Sequence, residues 1–445
     1  VTSLGKGGDI ELSAPSLVLT GGSKIFSVTV GSGQGGNIQV RAESITLNGE
    51  SNIATATFAN GGQAGNVRIN ATSVNLLDEG SLASLTYGSG DAGNLTLDSR
   101  QLLIRNTNLQ SEIGAGISTA ARPDSHGDAG DLSINAESIE IIGNQPGKAV
   151  APTDLNSLLE LTNLVTGFTS GTQGSGDAGN VTINSDRLVV RDGAGIVTSA
   201  TLASTGTAGN LRVNATEIEL RGKGGIGTFS LASGDTRAGD LYINAERVTL
   251  RDGAVMGTGT LSGNGGNIIL EEADLLLMQN NSLITTTAGQ AGAGGDGGDI
   301  DIDAQFIVAI LDENSDIVAN AFEGNGGNID ITTQGIFGLQ VSDKLTPNSD
   351  ITASSQLGID GTITINTANV DPSRGLTELP FNFTDPSNQI IAGCPADTGN
   401  RFTAIGRGGI PDNPRDYLQG NAVWQDRRNV SVFPDNQPAV NLPSE

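Results

Sequence analysis

The chain has 445 residues with 49 acidic against 23 basic side chains, a formal charge of −26, 64 glycines and only 3% aromatic content. That balance argues against binding nucleic acid or an anionic membrane, which need basic stripes, and no run of 18 apolar residues exists to cross a bilayer as a helix. Few aromatics and many glycines argue against one large globular core and for a glycine-punctuated all-β repeat.

A triplet reading AGN, AGD, GGN or GGD recurs from the start of the chain. Its third residue, the anchor, falls at Asp9, Asn37, Asn66, Asn94, Asp131, Asn180, Asn210, Asp240, Asn267, Asp299 and Asn328, with a degenerate twelfth copy at Thr362. The commonest spacings are 27 to 32 residues, which places the chain among repeat architectures. One and three residues after each anchor stand apolar pairs, from Ile10/Leu12 and Val67/Ile69 to Ile329/Ile331 and Ile363/Ile365. The alternation returns at eight and ten residues, as in Ile45/Leu47, Val74/Leu76 and Val248/Leu250, and a third apolar window follows at Ile25, Ile53, Leu82, Ile196, Ile226, Met256 and Leu283.

Period-two alternation over five residues marks a short strand with one buried face. The windows predict three short strands per repeat, hence a three-sided coil whose apolar face is buried by the coil stacked on it. The expected fold is an all-β parallel β-helix over residues 1–370, with about twelve coils some 4.8 Å apart forming a rod about 55 Å long. Asn and Asp at the anchors are expected to stack along the axis and cap turn backbone.

In chain order, Val1 already stands in the repeat pattern, so the sequence reads as a piece of a longer chain. Two repeats are lengthened, with surplus residues near 114–127 and 144–174. The second carries PTDLNSLLELTNL, where Thr153 or Asp154 could cap a short helix ahead of Leu155, Leu158, Leu159 and Leu161. The lone His126 lies in a loop and has no cysteine or carboxylate cluster to join for zinc or nucleophilic chemistry. Paired hydroxyls at Ser27/Thr29, Thr55/Thr57, Ser84/Thr86, Thr228/Ser230, Thr258/Thr260 and Thr285/Thr287 share parity with the third apolar window, so they are expected inside rather than as an outward ice-ordering array.

The one candidate site is acidic. Aligning coils sets Asp301 beside Asp330 and Glu271 beside Asp303, four carboxylates on the outer face with neighbours about 4.8 Å apart. Such charges either splay into water, raise one another's pKa or share a cation such as Ca2+. The nearby run Gly294–Asp299 (GGDGGD) has the look of a calcium-binding glycine repeat but lacks its nine-residue tandem. After residue 370 the alternation stops; residues 371–445 hold nine of the 14 prolines, the only tryptophan, Trp424, and the only cysteine, Cys394. They read as a non-repetitive tail or cap.

The repeat text AGNVTINSDRLVVRDGAGIVTSA (178–200), with the tail text RFTAIGRGGIPDNPRDYLQGNAVWQDRR (401–428), resembles the C-terminal part of filamentous-haemagglutinin-like exoproteins of the cyanobacterial, two-partner-secretion type. The resemblance implies a right-handed β-helix, export of the parent chain through an outer-membrane β-barrel transporter, and an extracellular, cell-surface location. The family's N-terminal secretion domain has no counterpart here. The expected function is a secreted structural or adhesive β-solenoid without enzymatic activity, meeting a neighbouring cell or a polysaccharide surface. The alternatives are an extracellular polysaccharide lyase or hydrolase on the same fold, and a subunit that associates end to end into a surface filament.

Overall fold

The computed structural model describes residues 5–367 except 60, 108–114, 145–165, 233, 235 and 290–292. The chain divides into two units, Val1–Pro372 and Ser373–Glu445; the tail, with Trp424 and Cys394, lies outside the described residues, and so does the segment around Leu155 where a helix is expected.

The first unit is a β-solenoid built from two twelve-stranded parallel sheets. Each coil contributes one long strand to the first sheet, for example Val67–Leu77, and one short strand to the second, for example Ser81–Gly88. Strands inside each sheet pair with their counterparts one coil before and after, as Ile38↔Val67↔Leu95 and Ile53↔Leu82↔Ile117 illustrate. The expected parallel coil is thus present, with one difference of segmentation: the first two apolar windows share a single 11-residue strand instead of forming two.

The strand turns a corner without breaking. In Val67–Leu77 the inward positions are Val67, Ile69 and Ala71, then two consecutive residues face away, and Val74 and Leu76 face inward again. Parity flips at the corner, and a small residue precedes it: Ala71, Ala136, Ala245 and Ala304 are all nearly or fully buried there. The result is one continuous ladder of aliphatics. Ile45, Leu47, Ile69, Leu95, Leu97 and their equivalents are fully buried, each contributing roughly 1.5–3 kcal/mol by leaving water.

One coil carries an extra residue. The long strand Ile268–Gln279 has 12 residues, and its register slips between Leu270 and Ala273, so Glu271 and Glu272 together face Asp303. Glu272 takes a left-handed φ of 61°, the mark of a β-bulge. The bulge moves everything after it by one residue. Ile284, not Leu283, is the inward neighbour of Met256, and Thr286, not Thr285 or Thr287, is the inward hydroxyl, bonded to the Gly298 carbonyl at 2.5 Å.

Both surplus segments leave at the corner between the long and the short strand. In an ordinary coil the short strand starts 15 residues after the anchor, as Ser81 does after Asn66. After Asn94 it starts at Gly116, 22 residues on, and after Asp131 at Gly167, 36 on. Most of the first surplus therefore precedes Gly116 rather than filling 114–127, and Gly167–Thr172, placed by sequence inside the second surplus, is an ordinary short strand.

The second sheet ends differently from the first. Its last full strand, Asp350–Thr352, is flanked by the two-residue strand Gln340–Val341, so the chain covers its own sheet edge, a common guard against further pairing.

Candidate functional site

A solenoid places functional groups in columns, because each repeat position recurs about 4.8 Å along the axis. The anchor column is continuous. The side-chain oxygen of each anchor accepts the backbone N–H of the next, from Asp9 to Asn37, Asn66, Asn94, Asp131, Asn180, Asn210, Asp240, Asn267, Asp299, Asn328 and Thr362, at 2.7 to 3.1 Å. Only an Oδ1 is required, which explains why Asn and Asp interchange and why Thr362, lacking one, ends the series. At the first rung the Asn37 N–H holds the Asp9 carboxyl below its ordinary pKa.

A prediction follows for the middle of the rod. Asn180→Ala leaves the Asn210 N–H without its 3.0 Å acceptor and is expected to cost about 1 kcal/mol. Asn180→Asp keeps the acceptor and is expected to stay within about 0.5 kcal/mol of the parent. Urea unfolding of both variants followed by circular dichroism distinguishes them.

Three residues before the anchors runs a second Asx column that the sequence reading missed. Asp91 accepts from Asp128 N, Asp128 from Asp177 N, Asp177 from Thr207 N, and, further along, Asn264, Asp296 and Asn325 repeat the pattern. The signal was present in the recurring text GSGDAGN. A third column, four residues after the anchors, is an outward amide ladder in which Asn135 donates to Asp98, Asn184 to Asn135 and Asn214 to Asn184, each at 2.8 Å.

The candidate acidic residues continue these outer columns. Asp301 pairs with Asp330 as aligned, and Asp303 faces Thr332 on one side and the Glu271–Glu272 bulge on the other. All four candidate side chains, Glu271, Asp301, Asp303 and Asp330, are exposed. Partial desolvation, then the charges of Asp330 and Asp303, raise the Asp301 pKa, as carboxylates stacked without a counter-charge should. Among the described residues no three His, Cys, Asp or Glu side chains gather closely enough to hold a metal ion. His126 is exposed, with its backbone N–H on the Gly88 carbonyl.

Inside, the hydroxyls point as parity predicted. Thr55, Thr57, Ser84, Thr86, Thr228 and Thr258 are fully buried. They clasp the glycine-rich return of the coil: Thr55 donates to the Gly65 carbonyl at 2.5 Å, Thr57 to Gly62 at 2.7 Å, and Thr198 and Thr228 to Gly209 and Gly239. These groups hold the turn and are unavailable to solvent.

Stacking also gathers basic residues that look scattered in sequence. Glu219 receives Arg187 at 3.1 Å and Arg221 at 3.4 Å, and Arg251 as well; Arg191 holds Glu140 at 3.1 Å and Asp192 at 2.5 Å. These four guanidinium groups are all ion-paired and so offer little free positive charge. A shallow groove beside the anchor column is lined by Asn94, Asp131, Thr182, Arg212 and Tyr242, with the Arg212 guanidinium 4.4 Å above the Tyr242 ring.

No family model, no curated protein and no solved structure matches this chain.

Proposed function

We propose that this chain is the stalk of a surface exoprotein, a structural or adhesive β-solenoid exported from the cell as part of a larger filamentous-haemagglutinin-like chain through an outer-membrane β-barrel partner. The β-solenoid fold is consistent with a structural or adhesive repeat protein. The carrying observation is the unbroken anchor ladder: eleven successive inter-coil bonds at one position make a rod of uniform construction. Its outer columns are amides, hydroxyls and charged groups that repeat along the axis rather than converge on one point. Export unfolded followed by folding outside suits such a chain, because each coil folds against the last.

Electron microscopy of the purified chain with and without millimolar calcium tests this reading. Rods about 55 Å long, single or paired side by side and unchanged by calcium, are expected. Compact particles would count against the stalk, and fibres joined end to end would move the reading to a filament subunit.

A second reading, a polysaccharide-processing enzyme, draws on the groove with Asp131, Arg212 and Tyr242. Its signature would be depolymerisation of a polysaccharide by the purified chain, abolished by Arg212→Gln.

A further inference from the structure

The short-strand sheet has an apolar outer face as well as an apolar inner one. In the later coils this outer face is closed: Val197, Phe229, Leu231, Val255, Leu283 and Val318 form a cluster between 0 and 7% exposed, and the Phe229 ring lies over Gly227 and Gly257, where a Cβ would meet it. In the first three coils the same face carries exposed apolar side chains. Phe26, Val28, Val30, Phe58 and Tyr87 are 37 to 70% exposed, and Phe58 and Tyr87 stack at 4.6 Å with planes 3° apart. Between them Ala54 and Ala56, 2 and 7% exposed, are themselves buried, so the accessible apolar surface is that of the five larger side chains.

The charge pattern narrows what can cover it. The outward positions of the first four short strands are Lys24, Phe26, Val28; Asn52, Ala54, Ala56, Phe58; Ser81, Ala83, Leu85, Tyr87; and Gly116, Ser118, Ala120. None is acidic, in a chain with a net charge of −26. This is a face on which two such polyanions can approach without setting carboxylate against carboxylate. An isologous contact sets the same patch of each copy against the other, and two flat sheets pack face to face about 10 Å apart with side chains interleaved.

We infer that two copies of this chain pair laterally through the outer face of the first three short strands, Phe26, Val28, Val30, Phe58 and Tyr87 packing on the same residues of the second copy. The pairing is apolar and works against net repulsion, so it strengthens with salt as the charge is screened.

Sedimentation equilibrium of the full chain between about 20 mM and about 0.5 M salt is the test. A monomer–dimer equilibrium that shifts toward dimer at high salt is expected. Phe58→Glu should weaken it by a factor of about 30 or more, as loss of a central aromatic does. Tyr87→Ser combined with Val30→Ser, milder changes at exposed positions, should weaken it in the same direction with the β-sheet circular dichroism unchanged. A monomer under every condition overturns the inference. So does a dimer indifferent to both variants, which would place the contact elsewhere, or a monomer that the variants release from a polysaccharide film, which would give the face to a carbohydrate.

Discussion

Gly209→Ala is expected to destabilise the solenoid by about 3 kcal/mol or more, although it adds a single methyl group. A Cβ on Gly209 would stand 2.1 Å from the Gly179 carbonyl oxygen, and that obstacle is backbone, held in turn by the coil before it. The same collision recurs down the column, with Gly65 against Gly36 at 1.9 Å, Gly239 against Gly209 at 2.0 Å and Gly298 against Gly266 at 1.8 Å. None of these glycines has a left-handed φ, so close approach, rather than backbone conformation, is what excludes a side chain. Relieving the contact means separating two coils, which also strains the bond from Thr198 to the Gly209 carbonyl. The control is built into the chain. Gly8 holds the same place in the first triplet, and a Cβ there meets nothing within 4 Å. Gly8→Ala is therefore expected to stay within about 0.5 kcal/mol of the parent, or to stabilise slightly by restricting the unfolded chain. Urea unfolding by circular dichroism, with hydrogen exchange to locate the loosened coils, measures both. Equal stabilities for the two variants would mean that the glycine column is not the close contact that sets coil spacing.

That control shows why so much of the fold is legible in sequence. A feature dictated by the coil beside it must recur at every coil, so the anchors, the apolar pairs after them and the buried hydroxyls all appear as periodic text. What one coil does alone leaves a weaker trace. The bulge at Glu271–Glu272 adds one residue between two windows that both look regular, so counting from the anchor picks Leu283 and Thr285 where the inward residues are Ile284 and Thr286. The joining of two windows into one strand is invisible for another reason: inter-coil pairing skips only the corner residue, between Ala42↔Ala71 and Ser44↔Ser73, and resumes in the same register while the side chains change face. The outer apolar face of the short strands is hidden because strands such as Gly225–Ser230, GIGTFS, are buried at every position and so show no alternation. At the candidate acidic site, alignment placed Asp301 beside Asp330 correctly, since no irregularity intervenes between those strands. It could not register the second glutamate set opposite Asp303 by the bulge.

Asp316 is another departure from the repeat, and a large pH effect is expected from it. It starts the short strand Asp316–Val318, in register with Leu283, at a position where earlier coils carry Gly225 and Val255. Its neighbour one coil on is Asp350, which is fully buried; Asp316 itself is 6% exposed. Asp350 is well supplied with donors, Thr346 N at 2.6 Å, Thr346 Oγ1 at 2.7 Å and Gln340 Nε2 at 3.3 Å. Asp316 accepts from Asp350 N at 2.9 Å. Burial first, with the Asp350 charge beside it, pushes the Asp316 carboxyl up to about 6 from an ordinary 3.8. The folded chain thus binds this proton more tightly than the unfolded chain does. The associated stability is fully present below about pH 3.8 and is lost as pH rises through about 6. A shift of this size corresponds to about 2–3 kcal/mol across that window. Asp316→Asn keeps the oxygen that accepts from Asp350 N and removes the titration, the same exchange that the anchor column tolerates along its whole length. The variant is therefore expected to exceed the parent by about 2 kcal/mol at pH 7.5 and to match it near pH 4. Comparing the two proteins at each pH cancels the general effect of neutralising a −26 chain. Chemical denaturation of both across the window measures the difference, and a gap that stays constant with pH would show that Asp316 does not hold its proton in the folded state.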